Sequence, residues 1–278
     1  LSTFWRMKIN NLKYTKDEPS ENILESSTDA VSYSGEASPI SGLGAEGSHY
    51  SKGSPVLDTR IIFILSGGSK REKDYFRPIH NNPAIRTIKI AFRSKKGQGL
   101  KPYELKSLAE EFINNKRFVT EDRKSFHIED DDELYLIQDV DEFGDEIKRY
   151  IIEQNSNSRI RWIISNPAFE IWLFYHYFDS PEMLGDCITM SERDRSNWLK
   201  EHLNKLIAGG VKTTAAFYSS EIAINNSKNR YAEEDGMPAL FSTQMHIVAE
   251  IALKIMGEEF SIIKQHRESE IAFYKSLR

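Results

Sequence analysis

Short apolar runs alternate with longer stretches of helical periodicity in the chain beyond residue 60. The apolar runs are too short for helices and predict buried strands at residues 60–65, 87–92, 134–138 and 159–164. The stretches that follow them place apolar side chains at helical spacing, at residues 70–80, 102–115, 143–154 and 168–178. Strands and helices in alternation predict an α/β fold with a parallel, doubly wound sheet and right-handed crossovers.

The rest of the chain falls into two regions of different character. Residues 15–58 are rich in Ser, Gly and Glu and show no strand or helix periodicity, so we predict a flexible N-terminal arm at residues 1–57. Beyond the last strand and helix the periodicity is helical, at residues 191–207, 213–225, 242–256 and on to Arg278. We therefore predict an α/β core at residues 58–180 and an α-helical region at residues 181–278 that packs on it.

The overall composition predicts a cytoplasmic protein. Charged residues make up 28% and hydrophobic residues 39% of the chain, and the formal net charge is −5. This charge does not indicate a nucleic-acid-binding protein, although local basic clusters can still bind phosphates. Cys187 is the one cysteine, which excludes an internal disulfide and a cysteine-rich zinc site. The most apolar stretch, residues 169–178, is about half as long as a bilayer span, and the N-terminus lacks a signal-peptide pattern, so we expect no membrane contact.

The apolar run that begins at Leu134 ends abruptly in the acidic sequence Asp139-Val140-Asp141-Glu142. In a strand, residues i and i+2 point to the same side, so Asp139 and Asp141 would aim at one point. Two carboxylates at the carboxyl end of a parallel strand suit a magnesium ion that keeps most of its waters. The alternative is a strand followed by an acidic turn that caps the next helix.

Glycines separate the first predicted strand from the first predicted helix, in the sequence Ser66-Gly67-Gly68-Ser69. The N–H groups of this turn and the helix dipole could cradle a phosphate, helped by Lys70 and Arg71. The alternative is a tight connection that needs the conformational freedom of glycine. A second basic group follows the second strand and would contact nucleic-acid phosphates or remain solvated; it comprises Arg93, Lys95, Lys96 and Lys101.

Asn166 and Pro167 follow the last predicted strand and indicate the start of the next helix. Asn is a favourable N-cap, and Pro suits the first helical position. Glu170 would then lie in the first turn, where the helix dipole stabilises its charge. This acid is structural or, if it points to the metal site, functional.

The chain resembles the RloB family in four stretches that follow the same order, at residues 61–76, 136–142, 164–173 and 241–246. The string Ser-Asn-Pro-X-Phe-Glu-X-Trp is the most specific of these motifs, whereas Asp-X-Asp occurs in many proteins. Members of this family are bacterial defence proteins of the abortive-infection type. Their core is similar to the Toprim domain of topoisomerases, primases and OLD-type nucleases. The resemblance covers roughly residues 60–256 and implies a Toprim-like parallel sheet flanked by helices.

The resemblance also implies roles for single positions of this chain. Asp139 and Asp141 match the Toprim acidic pair that holds Mg²⁺ or Mn²⁺. The other matches are to the helix after the first strand and to the Asn-Pro-X-Phe-Glu string, at Glu72, Tyr75, Phe76, Asn166 and Glu170.

The chain departs from the family pattern at the end of the first strand. The pattern places a glutamate immediately before the glycine, where this chain has Gly67 followed by Gly68. That glutamate would be the general acid/base or a third metal ligand. Three explanations are open: natural degeneration, an altered sequence, or replacement by a nearby acid such as Glu72 or Glu170. Replacement is geometrically harder for Glu72, which lies more than a helical turn further along.

The resemblance implies a metal-dependent nuclease effector that cleaves nucleic acid in anti-phage abortive infection, inactive if Gly67 removes the catalytic acid. The second hypothesis, which Gly67 favours, is a non-catalytic Toprim-like subunit that senses or binds a partner. A third hypothesis is a hydrolase of small phosphate esters, against which the basic loops weigh slightly. Systems of this family often resemble two-gene modules with an AAA-type ATPase, so we expect such a partner. The choice of DNA or RNA as target, and assembly into homo-oligomers, stay open.

Overall fold

The computed structural model describes residues 61–68, 70–80, 82, 85–95, 98–153 and 159–277. The predicted flexible arm at residues 1–57 and the predicted phosphate contact Lys96 lie outside these residues.

The strands of the described residues form one central sheet and several short two-stranded pairs. In chain order they are β1 (Ile62–Ser66), β2 (Ile88–Phe92), β3 (Ser94–Lys95), β4 (Gln98–Gly99), β5 (Arg117–Val119), β6 (Ser125–His127), β7 (Glu133–Asp139), β8 (Ile160–Ser165), β9 (Glu233–Glu234) and β10 (Met237–Pro238).

The helices of these residues flank the sheet and make up most of the chain after β8. They are α1 (Arg71–His80), α2 (Pro102–Asn114), α3 (Gly144–Glu153), α4 (Glu170–Tyr175), α5 (Glu192–Leu206), α6 (Thr213–Ala216), α7 (Ser220–Arg230), α8 (Met245–Met256) and α9 (Glu258–Ser276). Short 3-10 helices lie at Pro181–Cys187 and Phe217–Ser219. None of these helices combines the length and the apolar character that crossing a bilayer requires.

The central sheet has the strand order β2-β1-β7-β8, and each neighbouring pair is parallel. The pairs β3–β4, β5–β6 and β9–β10 are antiparallel. A parallel sheet flanked by helices and followed by a helical region confirms the predicted α/β class. The likeness of this sheet to a Toprim domain stays a prediction.

Apolar residues of the central strands alternate between two buried cores, one on each face of the sheet. Ile64 and Ile137 belong to a core shared with α1, α4, α5, α7 and α8. Phe63 and Leu136 belong to a core shared with α2 and α3. Burial on both faces is typical of a parallel sheet and explains why these strands are apolar throughout. The residues of α4 are all buried, as its apolar sequence predicts.

The carboxyl ends of β1 and β7 border a crevice where the sheet topology reverses. After β1 the chain passes through α1 to β2 on one side, whereas β7 lies on the opposite side of β1. The loops that follow β1 and β7 therefore diverge. Open parallel sheets bind their ligands in the crevice that such loops leave.

The segment before α8 covers the outer edge of β8. Thr243 forms an antiparallel bridge with Ser165, and the two side-chain oxygens are 2.8 Å apart. The Gln244 N–H donates to Ile164 O at 2.9 Å, and the Ile164 N–H donates to Gln244 Oε1 at 3.0 Å. The motif at residues 241–246 therefore closes one edge of the sheet.

The prediction that Asn166 caps a helix is wrong. α4 begins at Glu170, and Phe169 is its N-cap residue. The Asn166–Pro167 peptide bond is cis. Asn166 Nδ2 donates to Pro238 O at 2.8 Å, so this side chain connects the end of β8 to β10. Glu170 nevertheless lies in the first turn of α4, as predicted.

Two further parts of the fold differ from the sequence prediction. The single helix predicted at residues 213–225 is divided into α6, a 3-10 helix and α7. The hairpins β3–β4, β5–β6 and β9–β10 were not predicted, because strands of two or three residues are too short to show an alternating pattern.

Candidate functional site

A cavity of about 510 Å³, which we call the acidic cavity, lies at the carboxyl ends of β1 and β7. The acids that line it are Glu72, Asp139, Asp141, Glu142 and Glu170. The basic residues that line it are Lys70, Arg71, Lys101 and Lys200. The acidic cavity thus occupies the crevice that the sheet topology creates.

Glu72 reaches the acidic cavity from the first turn of α1 and folds back over the glycine turn. A Cβ atom on Gly68 would lie 1.9 Å from Glu72 Cδ, so the carboxyl group occupies the space that a side chain at residue 68 would need. The Gly68 N–H donates to Ser66 Oγ at 3.0 Å, which holds the turn against the end of β1. The fold therefore returns Glu72 to the end of β1, although it lies further along the sequence.

Asp139 is the last residue of β7 and faces the same side of the sheet as Ile137. Among the described residues, its Oδ1 atom is buried and has no hydrogen-bond partner. The Oε1 atom of the neighbouring Gln138 is also buried and has no hydrogen-bond partner among the described residues. Gln138 Nε2 donates to Asp139 O at 3.3 Å. A buried acceptor without a donor is destabilising, so these oxygens are well placed to bind a cation or a proton donor.

Asp141 lies beyond the strand, in a turn with a left-handed backbone (φ 40°). The Asp141 N–H donates to Pro167 O at 3.1 Å, and the Val140 N–H donates to Ser165 O at 3.0 Å. These bonds hold the turn against the end of β8. A left-handed Asp is uncommon and costs energy, and such residues are frequent at functional sites. Asp141 therefore joins Asp139 through this turn rather than through strand alternation, on which the sequence prediction relied.

Glu170 is a buried acid at the start of α4, with 3% of its surface exposed. Arg71 Nε lies 3.2 Å from Glu170 Oε1, so the guanidinium and the carboxylate form an ion pair across the cavity wall. Arg71 also donates through one of its terminal nitrogens to Lys200 O at 3.5 Å. Arg71 thus connects the first turns of α1 and α4 to α5.

Lys200 extends from α5 into the acidic cavity, and its Nζ lies 3.7 Å from Asp141 Oδ1. Burial lowers the pKa of Lys200, but the carboxylates of Asp139, Asp141, Glu170 and Glu72 outweigh this effect and raise it. The side chain therefore stays charged and serves as an internal cation for the acids around it.

Burial and mutual repulsion raise the pKa of several of these acids. Burial raises the pKa of Glu72 to about 7, and the nearby Glu170 and Asp141 contribute. Burial, together with Asp141 and Glu72, holds the pKa of Asp139 well above its usual range. Burial also raises the pKa of Glu170, against the opposing effect of Lys200 and Arg71. The acids thus outnumber the cations that neutralise them, which is typical of sites that bind a further cation.

The comparison with protein families identifies the chain. The model described as "RloB-like protein" matches residues 62–251, from β1 into α8, which is well over half of the chain. The chain belongs to the RloB-like family. Comparisons with the curated proteins and with the solved structures found no match.

Most of the residues that the sequence selected converge at the acidic cavity of this RloB-like chain. Its walls include Gly67, Lys70, Arg71, Glu72, Asp139, Asp141 and Glu170. Other predicted residues lie elsewhere, among them Tyr75 and Phe76, which are buried in the apolar core. Lys95 Nζ pairs with Glu104 Oε1 at 2.9 Å on the surface of the β3–β4 hairpin, and Asn166 bonds to β10.

Sequence reasoning missed Lys200 as a site residue. The buried side chains of α5 are Ser196, Leu199 and Leu203, and Lys200 lies on the same helical face as Ser196 and Leu203. A lysine on the otherwise buried face of α5 is the sequence feature that could have indicated Lys200 as a site residue. Its position over the acids depends on how α5 packs against α4, which the local sequence pattern does not report.

The acidic cavity fits a divalent cation held by few protein ligands. The fit rests on the buried Oδ1 of Asp139, the excess of carboxylates and the oxygen-only chemistry that Mg²⁺ prefers. No group of three or more His, Cys, Asp or Glu side chains among the described residues is arranged so that it could hold a metal ion. A cation held by Asp139 and Asp141 alone would need water or substrate oxygens as its further ligands, as is usual for Mg²⁺.

Gly67, where the family pattern has a glutamate, lies against neighbouring atoms. A Cβ atom on Gly67 would be 3.2 Å from Leu100 O and 3.3 Å from Gln138 Oε1. A Cβ atom on Gly99 would lie 2.8 Å from Gly67 O, so β4 approaches the turn at a distance that only glycine permits. The end of the β3–β4 hairpin thus occupies space beside residue 67, and Glu72 is the acid next to the turn.

Proposed function

We propose that this chain is a metal-dependent nuclease that cleaves phosphodiester bonds of nucleic acid in bacterial anti-phage abortive infection. The observation that carries this proposal is the convergence of Glu72, Asp139, Asp141 and Glu170 around Lys200 at the topological switch of the sheet. Membership of the RloB-like family supports it, since that family resembles Toprim-type defence nucleases.

Asp139 and Asp141 would hold Mg²⁺ or Mn²⁺. When bound, such an ion polarises a phosphoryl oxygen and lowers the pKa of a bound water. Both residues line the cavity, and the buried Oδ1 of Asp139 and the hydrogen-bonded turn of Asp141 support this assignment. Glu170 keeps Arg71 in position through their ion pair.

Glu72 is the residue of this chain suited to proton transfer. Its pKa of about 7 leaves the protonated and ionised forms both populated near neutral pH, which general acid–base catalysis requires. Its carboxyl group lies beside the turn after β1, near the place where the family pattern has a glutamate. Lys200 and Arg71 supply positive charge that would neutralise the phosphate undergoing cleavage.

A nucleic-acid polymer fits the rim of the cavity better than a small phosphate ester does. Lys70 and Lys101 line the cavity and are both exposed. They would contact backbone phosphates next to the one that is cleaved. Of the basic residues predicted at 93–101 that the structure describes, Lys101 lines the cavity, whereas Lys95 pairs with Glu104.

The family resemblance supports an AAA-type ATPase as the partner that controls this activity.

A non-catalytic subunit that senses or binds a partner is the second candidate function. The crowding of Gly67 by Leu100 and Gln138 favours it, because no acid can extend from that position without displacing them.

A cleavage assay on mixed DNA and RNA with Mg²⁺ or Mn²⁺ tests the proposal, with the chain alone and with the candidate AAA-type partner. Asp139→Asn keeps the shape of the side chain and removes its charge, so we expect cleavage to fall at least about 100-fold. Asp131→Asn, a change at an exposed acid outside the cavity, is the matched control. Cleavage by Asp139→Asn at the normal rate would exclude this mechanism. Absence of cleavage under every condition would favour the non-catalytic subunit.

A further inference from the structure

A groove of about 590 Å³, which we call the edge groove, lies along β2 and shares no lining residue with the acidic cavity. Its floor is the edge strand β2. One wall includes Ile79, at the end of α1, and Ile85. The other wall is the β5–β6 hairpin, with Lys124 and Phe126. The groove is therefore a slot between a helix end and a hairpin, with the edge of a sheet at its base.

The main chain of β2 bonds to β1 through alternate residues. The Ile62 N–H donates to Thr87 O at 2.8 Å, and the Arg93 N–H donates to Ser66 O at 2.9 Å. Odd-numbered residues of this strand therefore point their N–H and C=O groups to β1. Successive residues of a strand point in opposite directions, so the even-numbered residues point to the outer edge.

The outer edge of β2 is closed at one end and open in the groove. The Phe92 N–H, which points outwards, donates to Glu121 Oε2 at 3.2 Å. No main-chain hydrogen bond on this side is present for Ile88 or Ile90 within the described part of the chain. An open edge of this kind offers donors and acceptors at the spacing of a strand. The outer edge of β8 differs, because residues 241–246 cover it.

The two walls of the edge groove differ in chemistry. Ile79 and Ile85 belong to the same apolar core as Ile88 and Ile90, so this wall is apolar. On the other face of β2, Lys89 Nζ lies 4.6 Å from the ring centre of Phe126. A strand placed beside β2 would direct alternate side chains to the apolar wall and to the basic wall.

Positive charge dominates the basic side of the groove. Asp122 lies there but pairs with Lys124 at 2.7 Å. Arg86 is exposed, and neither Arg86 nor Lys89 has a carboxylate within ion-pair distance among the described residues. Burial lowers the pKa of Lys89, and the positive charges of Arg86 and Lys124 lower it further. These cations would be stabilised by acidic side chains of a ligand.

We propose that the edge groove binds an extended, acidic peptide segment of a partner protein as a further strand beside β2. Main-chain bonds to Ile88 and Ile90 would provide affinity, and alternation of acidic and apolar residues would provide specificity. Phosphates of a nucleic acid fit this floor less well, because the outward C=O groups of β2 repel phosphate oxygens. Edge lysines often prevent strand addition, but the ammonium group of Lys89 lies over Phe126 rather than across the edge.

Fluorescence anisotropy of the full chain with a short labelled peptide of alternating glutamate and valine tests this proposal. A lysine–valine peptide of the same length tests charge. A glutamate–valine peptide with alternate amides methylated tests strand pairing without changing the protein. We expect the unmodified acidic peptide to bind at least about tenfold more tightly than either of the other two. In amide hydrogen exchange, it should also slow the exchange of Ile88 and Ile90.

The double variant Arg86→Glu/Lys89→Glu should weaken binding of the acidic peptide at least about tenfold. Lys254→Glu/Lys275→Glu is the matched control, because it changes the net charge equally at exposed helical sites outside the groove. Equal binding of the methylated peptide, or no binding of the acidic peptide, would overturn the proposal. Binding of a single-stranded oligonucleotide that only Arg86→Glu/Lys89→Glu abolishes would assign the groove to nucleic acid instead.

Discussion

The carboxyl group of Glu72 lies against the α-carbon of Gly68, in the space that a Cβ atom at residue 68 would fill. A Cβ atom on Gly68 would lie 2.0 and 2.1 Å from the two carboxyl oxygens of Glu72. Because residue 68 is glycine, the side chain of Glu72 from α1 can lie beside the turn. This relationship gives the chain an acid near the glycine turn although residue 67 has no side chain.

Gly68→Ala should displace Glu72 from the cavity. Because the flexible end of Glu72 can move away, we expect the free energy of unfolding to change by less than about 1 kcal/mol. Nuclease activity should fall at least about 100-fold, because the general acid/base is no longer in place. Gly185→Ala is the control, since a Cβ atom there meets nothing within 4 Å. Normal cleavage by Gly68→Ala would show that the position of Glu72 does not matter.

Gly67→Glu restores the glutamate of the family pattern, but the structure leaves it little room. The added side chain would meet Leu100 O, a main-chain atom that cannot easily move, and Gln138 Oε1. We therefore expect the free energy of unfolding to fall by about 1–3 kcal/mol, as in other overpacked sites, without a gain in cleavage. Urea unfolding and the cleavage assay measure both effects. A Gly67→Glu protein that is stable and cuts faster would identify residue 67 as the true position of the acid.

Lys200→Met removes the internal cation and keeps a long side chain. Cleavage should fall at least about 100-fold, because positive charge near the phosphate is lost. Binding of Mn²⁺ should strengthen at the same time, because an ammonium group no longer competes for the carboxylates. The control is Lys205→Met at an exposed position of the same helix. Weaker Mn²⁺ binding by Lys200→Met would assign Lys200 to support of the metal site rather than to the phosphate.

His176 should make stability depend on pH. Its ring contacts the rings of Trp172 and Tyr75, with centroid distances of 5.1 and 5.5 Å, and burial lowers its pKa to about 3. The unfolded chain gains a proton near pH 6.5, whereas the folded chain does not. Stability is therefore lost as the pH falls from about 6.5 toward 3, by at most about 1.4 kcal/mol per pH unit.

Urea unfolding of the native chain and of His176→Phe over this pH range measures the effect. Ser219 Oγ, the partner of His176 Nδ1, also donates to Ala216 O at 2.9 Å, so it keeps a hydrogen bond in the variant. The variant should lose less stability than the native chain between about pH 7 and pH 5. Some dependence should remain, because burial also lowers the pKa of His246. Equal slopes for the two proteins would contradict the assignment to His176.

The sequence predicted the parts of the site that depend on local order. An apolar run that ends in acids predicted Asp139 at the carboxyl end of a strand. The alternation of strands and helices predicted a parallel sheet, whose strands bind ligands at their carboxyl ends. The position of Glu72 depends on a side chain that folds back over Gly68, and no periodicity reports such a contact. Lys200 comes from a helix that reaches the site only through tertiary packing. Long-range contacts therefore set the limit of prediction.

Titration calorimetry with Mn²⁺ examines the proposed metal centre without reliance on activity. The native chain and Asp131→Asn should both show saturable binding with the same affinity. Asp139→Asn should bind at least about tenfold more weakly and keep its native thermal stability, because the change removes a negative charge from the metal site and keeps the shape of the side chain. Undiminished Mn²⁺ binding by Asp139→Asn, or no saturable binding by the native chain, would contradict a metal-dependent site at the ends of β1 and β7.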